Sequence, residues 1–144
     1  MQRLAYVSAP SVPVGDVILD IVRVSERLNV ECGVSGLLLY GELRYFQVLE
    51  GENDAVSATL GRIRADLRHR ILWEAAFETD RRIVAPDLPM GYLSDGEIAR
   101  LGGGRSASAL AAPRRSAASD AVTTLLAIGG RKYPSTIHPA AGTD

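Results

Sequence analysis

The chain is short of most groups that small catalytic or metal-binding proteins rely on. Its 144 residues include one cysteine, Cys32, two histidines, His69 and His138, and one tryptophan, Trp73. A lone thiol excludes an internal disulfide framework and a multi-cysteine metal centre. It also fits a reducing compartment. Two histidines far apart in sequence offer no evident nucleophile–histidine–acid set. An excess of either charge is lacking too: 16 Lys and Arg against 17 Asp and Glu leave a net charge of −1. That argues against holding nucleic acid by bulk electrostatics, since there is no basic surplus to displace counterions. Arg62, Arg64, Arg68, His69 and Arg70 form a local basic cluster. No apolar run approaches ~20 residues, so no membrane-spanning helix is expected. The first ten residues lack the apolar core of a signal peptide and enter a strand, so a cytoplasmic location is expected.

What is present suffices for one domain with a proper core. The most informative stretch is GVSGLLLYGELRYFQVLEG, residues 33–51. Leu37 to Tyr40 and Tyr45 to Leu49 are short apolar runs without helical spacing, joined by the polar Gly41-Glu42-Leu43-Arg44, and this predicts a β-hairpin. Alternation places Tyr45, Gln47 and Leu49 on one face of the second strand and Phe46, Val48 and Glu50 on the other. The amide of Gln47 therefore sits among apolar neighbours, where it needs hydrogen-bond partners. It is either a structural tie or the reader of a ligand.

Before the hairpin, Arg3 to Ser8 predicts a strand closed by Pro10 and Pro13. Val17, Ile18, Ile21, Val22, Val24 and Leu28 then recur at helical spacing opposite Asp20, Arg23 and Arg27. This predicts an amphipathic helix from about Gly15-Asp16 to Asn29. After the hairpin, Asn53 reads as an N-cap, and Val56, Leu60, Ile63 and Leu67 give a helical stripe to about Arg68. Ile71 to Glu78 predicts a strand, and Met90 to Leu93 one further short edge strand. The order strand, helix, strand, strand, helix, strand is the split βαβ of a ferredoxin-like α+β fold, with two helices on one face of the sheet. This core occupies residues 1–93. A short helical extension is expected over 94–130, from the Ser94–Glu97 capping-box spacing and the apolar Val122, Leu125 and Leu126. A disordered tail is expected over 131–144.

Taken singly, the polar residues have plain readings. Asn29 is a helix stop, His69 a solvated helix end, Asp66 the i,i+4 partner of Arg62, and Met90 a gap filler. Their joint spacing says more. LAYVS at Leu4–Ser8, a helix running into Asn29, GVSGLLLY at Gly33–Tyr40, FQVLEG at Phe46–Gly51, RIRADLRH at Arg62–His69 and Met90-Gly91-Tyr92 stand in the order and spacing of the BLUF domains. The chain resembles that family, sensors of blue light that use FAD, over roughly residues 1–93.

The resemblance implies FAD between the two helices, with its ring against the sheet. It implies that Tyr6 hydrogen-bonds Gln47 and that Gln47 bonds the flavin edge. It further implies that Met90 responds to a change at Gln47, that Asn29 holds the pyrimidine side, and that Asp66, Arg68 and His69 line the site. Light would draw an electron and proton from Tyr6 and rearrange the Gln47 hydrogen bonds, signalling to a partner protein or through self-association in a homo-oligomer. Two positions depart from the family pattern: Leu28 stands where a second asparagine is common, and Leu88 where a tryptophan is. They favour the alternative of a BLUF-like interaction module with weak or lost flavin. An enzyme on the same scaffold, such as an acyl phosphate hydrolase, is the reading set aside. The connection Ala9–Gly15 has two prolines and one glycine and makes no phosphate cradle, and no catalytic output domain is expected within the chain.

Overall fold

A computed structural model of the chain describes residues 1–94 except 16, 42, 81, 83 and 85–87. The helical extension and tail expected beyond β5 lie outside the described residues. β1 (Gln2–Pro10) forms from alternating apolar residues. It pairs antiparallel on one side with β3 (Arg44–Gly51) and on the other with β4 (His69–Glu78). β2 (Ser35–Gly41) completes the hairpin with β3, and β5 (Gly91–Ser94) adds to β2 in parallel. The sheet order β4-β1-β3-β2-β5 is the ferredoxin-like arrangement with an added edge strand.

The helical period of residues 17–28 folds as α1 (Val17–Cys32), and the stripe from Val56 folds within α2 (Asn53–Ala65). Both helices lie over one face of the sheet. Leu4, Leu38, Tyr45 and Leu49 from that face join Val34, Val56 and Met90 in a buried core, against which Ile18, Ile21, Val22, Leu60 and Ile63 pack. The opposite face is buried as well: Ala5, Val7, Leu37, Leu39, Phe46 and Val48 are all shielded from solvent.

Three local expectations are corrected. Asn29 does not stop α1. The helix continues to Cys32, and Gly33 takes the left-handed conformation (φ 70°) that ends it. Gly33 N–H donates to the Val30 carbonyl at 3.4 Å and Val34 N–H to the Asn29 carbonyl at 2.9 Å, the two bonds of a Schellman cap. Asn53 is not the cap of α2. Only one extended residue, Glu52, separates the helix from β3, so Glu52 is the N-cap and uses no side-chain bond. Finally, α2 ends at Ala65, with Asp66 as its extended C-cap, so Asp66 and Arg68 lie in a turn and His69 opens β4.

Candidate functional site

The antiparallel register sets Tyr6 of β1 directly opposite Gln47 of β3, and Gln47 opposite Leu38 of β2. Period-two alternation turns the three side chains toward the helices. The Tyr6 hydroxyl donates to Gln47 Oε1. Gln47 Nε2 in turn points at the Met90 sulfur at 3.4 Å. Tyr6 is 4% exposed and Gln47 3%. Burial, aided by the nearby Asp66 charge, pushes the Tyr6 phenol far above its ordinary range, so it keeps its proton at any physiological pH. A thioether is a weak acceptor, and the second Nε2 hydrogen of Gln47 has no partner among the described residues. The amide is thus firmly held on its oxygen side and weakly held on its nitrogen side.

Asn29 is brought to the same place by the last turns of α1. Its Nδ2 donates to the Pro89 carbonyl at 2.7 Å, while its Oδ1 has no donor among the described residues. Asn29 and Gln47 together therefore tie the two residues that lead into β5, one through Pro89 and the other through Met90.

Asp66, Arg68 and His69 surround the far end of the site. Arg68 donates through Nε and Nη2 to the Asp66 carboxylate, the latter at 2.8 Å, and through Nη1 to Asp20 of α1 at 2.9 Å. The hydrogen bond from Arg68 holds the Asp66 carboxyl below the usual carboxylate range, and the same bond raises the Arg68 guanidinium. The i,i+4 pairing expected for Asp66 and Arg62 does not form, because α2 has already ended. Arg62 instead donates to Thr59 Oγ1 at 3.1 Å. His69 is not a solvated helix end. It is half-buried, with Nε2 2.7 Å from the Ile63 carbonyl and Nδ1 2.7 Å from Ser8 Oγ. A carbonyl only accepts, so Nε2 carries the proton and, in the neutral ring, Nδ1 accepts from Ser8. The imidazole meets Tyr6 and Tyr45 edge-on, with centroids 6.0 and 6.3 Å apart.

These residues line one cleft between α1 and α2, holding about 710 Å³ of space out to its solvent-open mouth. Ile21, Val24, Leu28, Leu38 and Ile63 supply apolar walls, while Tyr6, Asn29, Gln47, Asp66, Arg68 and His69 supply polar groups. A slot with apolar walls and a few convergent polar groups suits a flat heteroaromatic ligand. The open amide hydrogen of Gln47 and the open Oδ1 of Asn29 match a ring edge that both accepts and donates. A flavin pyrimidine, with its carbonyls and imide N–H, has such an edge. Met90 does not line the cleft; it touches it through Gln47.

Sequence reasoning missed Ser8, Tyr45 and Thr59. Tyr45 was legible, since it shares a strand face with Gln47. Ser8 is two residues from Tyr6 on the same face, but nothing local reveals that His69 arrives beside it.

A family model described as sensors of blue light using FAD, BLUF, matches residues 1–82. Photoactivated adenylate cyclase subunit alpha of Euglena gracilis is 36% identical over 72 residues, covering 48% of this chain and 7% of that protein. Subunit beta of Euglena longa is 35% identical over 72 residues, covering 48% of this chain and 8% of that protein. The chain thus spans less than a tenth of the length of these relatives. Among solved structures, dark-state BlrB, a BLUF protein, superposes with a TM-score of 0.70 at 26% identity, over 91% of this chain and 96% of that one. Photo-activated BlsA gives 0.69 at 22% identity, over 87% and 94%. Klebsiella pneumoniae BlrP1 with FMN and cyclic diGMP gives 0.63 at 26% identity, over 90% and 35%. On the family model's match to more than half of its length, with the strand order and cleft to go with it, this chain belongs to the BLUF family, the sensors of blue light that use FAD.

Proposed function

We propose that the domain is a blue-light photoreceptor that binds FAD and signals through the hydrogen bonds of Gln47. The observation that carries this reading is the buried relay Tyr6–Gln47–Met90, laid along the cleft wall with a strong bond on one side of the amide and a weak one on the other. A bound flavin supplies the light absorption and, when excited, a one-electron acceptor. The chain's own residues do the rest. Tyr6, kept neutral by burial, is the electron donor, and its proton leaves along its existing hydrogen bond to Gln47 Oε1. A carboxamide that gains or redistributes a proton, or rotates, exchanges donor for acceptor at both ends. Nε2 then gives up the Met90 sulfur, a contact weak enough to lose at small cost. With a flavin in the cleft, the changed hydrogen bond from Gln47 would shift its absorption to the red, with no covalent adduct and no part for Cys32.

Asn29 Oδ1 would orient a flavin's pyrimidine edge, and Asp66, Arg68 and His69 close the polar end of the cleft. FAD is preferred to a shorter flavin on the family description. The BlrP1 structure that carries FMN makes the distinction worth measuring. The domain performs no turnover in this reading. Its message passes to a partner protein, or between copies of the chain, through β5. In the Euglena relatives the matching segment belongs to much longer adenylate cyclase subunits.

The test is to purify the protein in darkness, record its absorption before and after blue light, and identify the released cofactor by chromatography. FAD and a red shift that reverts in darkness support the proposal. A protein that stays colourless after incubation with FAD overturns it.

A further inference from the structure

Glu50 is a fully buried carboxylate that the photochemistry does not use. It lies on β3 three residues beyond Gln47, so it faces the opposite side of the sheet. The register places it between Arg3 of β1 and Ser35 of β2. Arg3 donates to Glu50 Oε2 through Nε at 3.1 Å and through Nη2 at 3.0 Å. Glu50 Oε1 accepts from the backbone N–H of Val84, itself fully buried. Ser35, also fully buried, donates to the Val84 carbonyl at 3.4 Å and accepts from Arg82 Nη1 at 2.8 Å. Both polar backbone groups of Val84 are therefore gripped by side chains of the sheet's far face.

Four to six residues later the chain is held again. Gly36 N–H donates to the Leu88 carbonyl at 3.1 Å, Asn29 holds the Pro89 carbonyl, and Gln47 holds the Met90 sulfur. The approach to β5 is thus anchored from both faces of the sheet. Only the Met90 contact depends directly on the state of Gln47.

We infer that Glu50, together with Ser35, is a positioning residue of the photoswitch. It fixes Val84 on the far face, so that loss of the Gln47–Met90 contact loosens β5 against a fixed point. This rests on the light reading proposed above. Without the anchor, β5 is loose in darkness and light has little left to change. A buried charge-assisted bond is among the stronger single ties in a protein, so its removal has a measurable effect on local opening.

The experiment measures hydrogen exchange of the β5 amides, Gly91 to Leu93, in dark and illuminated flavin-loaded protein. It compares wild type with Glu50→Gln and Ser35→Ala, and takes the light–dark absorption difference on the same samples. Glu50→Gln weakens the grip on Val84 by replacing a charged acceptor with a neutral one and loses the charge facing Arg3, while Ser35→Ala removes the hydroxyl on the Val84 carbonyl. The expected result is that both variants keep the red shift at full size. Their β5 amides exchange about tenfold faster in darkness, and the light–dark ratio seen in wild type falls toward one. Should Glu50→Gln fail to fold, Ser35→Ala decides alone. An unchanged light–dark ratio at β5 in variants that still shift overturns the inference and leaves the photoreceptor standing. A wild type that binds flavin but never shifts overturns both.

Discussion

Removing both partners of the Tyr6–Gln47 bond should cost less than the two single removals added together. Gln47→Leu strands a buried phenol hydroxyl that is 4% exposed. An unmet buried donor of that kind costs about 1–3 kcal/mol. Tyr6→Phe strands Gln47 Oε1 in the same apolar setting, at about 1–2 kcal/mol by the same reasoning. The double variant places two apolar side chains side by side, directly opposite in the register. Nothing polar is left stranded between them, so its cost should fall below the sum of the singles by about 1–2 kcal/mol. Urea unfolding of flavin-stripped protein is the assay, followed by the fluorescence of Trp73, the only tryptophan. With a slope of about 1–3 kcal/mol per molar urea, the single variants' shifts are well resolved. Additivity of the two singles to within about 0.5 kcal/mol would refute the reasoning, since residues that share no bond add in that way.

Arg68→Ala removes the hydrogen bonds that hold the Asp66 carboxyl low. A carboxyl lowered in the folded state adds stability above its unfolded pKa, about 3.9, and loses it as pH falls through the folded value. The advantage of wild type over Arg68→Ala in thermal midpoint should therefore be full between pH 5 and 7, by the same scale, and shrink below about pH 4. A gap that stays constant down to pH 2.5, again on that scale, would contradict the assignment. At the hairpin tip Leu43 is 69% exposed and holds a φ of 62°, a left-handed conformation that asparagine adopts with less strain. Leu43→Asn should raise stability by about 1 kcal/mol in chemical denaturation, and a loss of stability would show that the leucine makes a contact that matters.

Strands β1 to β4 and both helices were legible because each carries its own periodicity, and β5 because Gly91–Leu93 follows a proline-rich break. Helix ends were less legible. Asn29 resembles a stop residue as closely as it resembles a ligand, and only Gly33 four residues later, with its positive φ, shows where α1 ends. Asp66 and Arg62 have helical spacing, yet pair with Arg68 and Thr59 because α2 stops first. The cleft residues could be named together only through the family's spacing, since the physics that joins Tyr6 to Gln47 spans 41 residues. The far-face grip on Val84 was not legible at all. Glu50 reads in sequence as the polar end of an apolar strand, and its partners Arg3, Ser35 and Val84 come from three other parts of the chain.

The central claim is that Tyr6 drives the change at Gln47. Its most direct test is the light-minus-dark absorption spectrum of flavin-loaded Tyr6→Phe beside wild type. The account predicts that the variant is as yellow as wild type, because the cleft walls are intact, and that it shows no reversible red shift. A Tyr6→Phe protein that shifts and recovers as wild type does would contradict it.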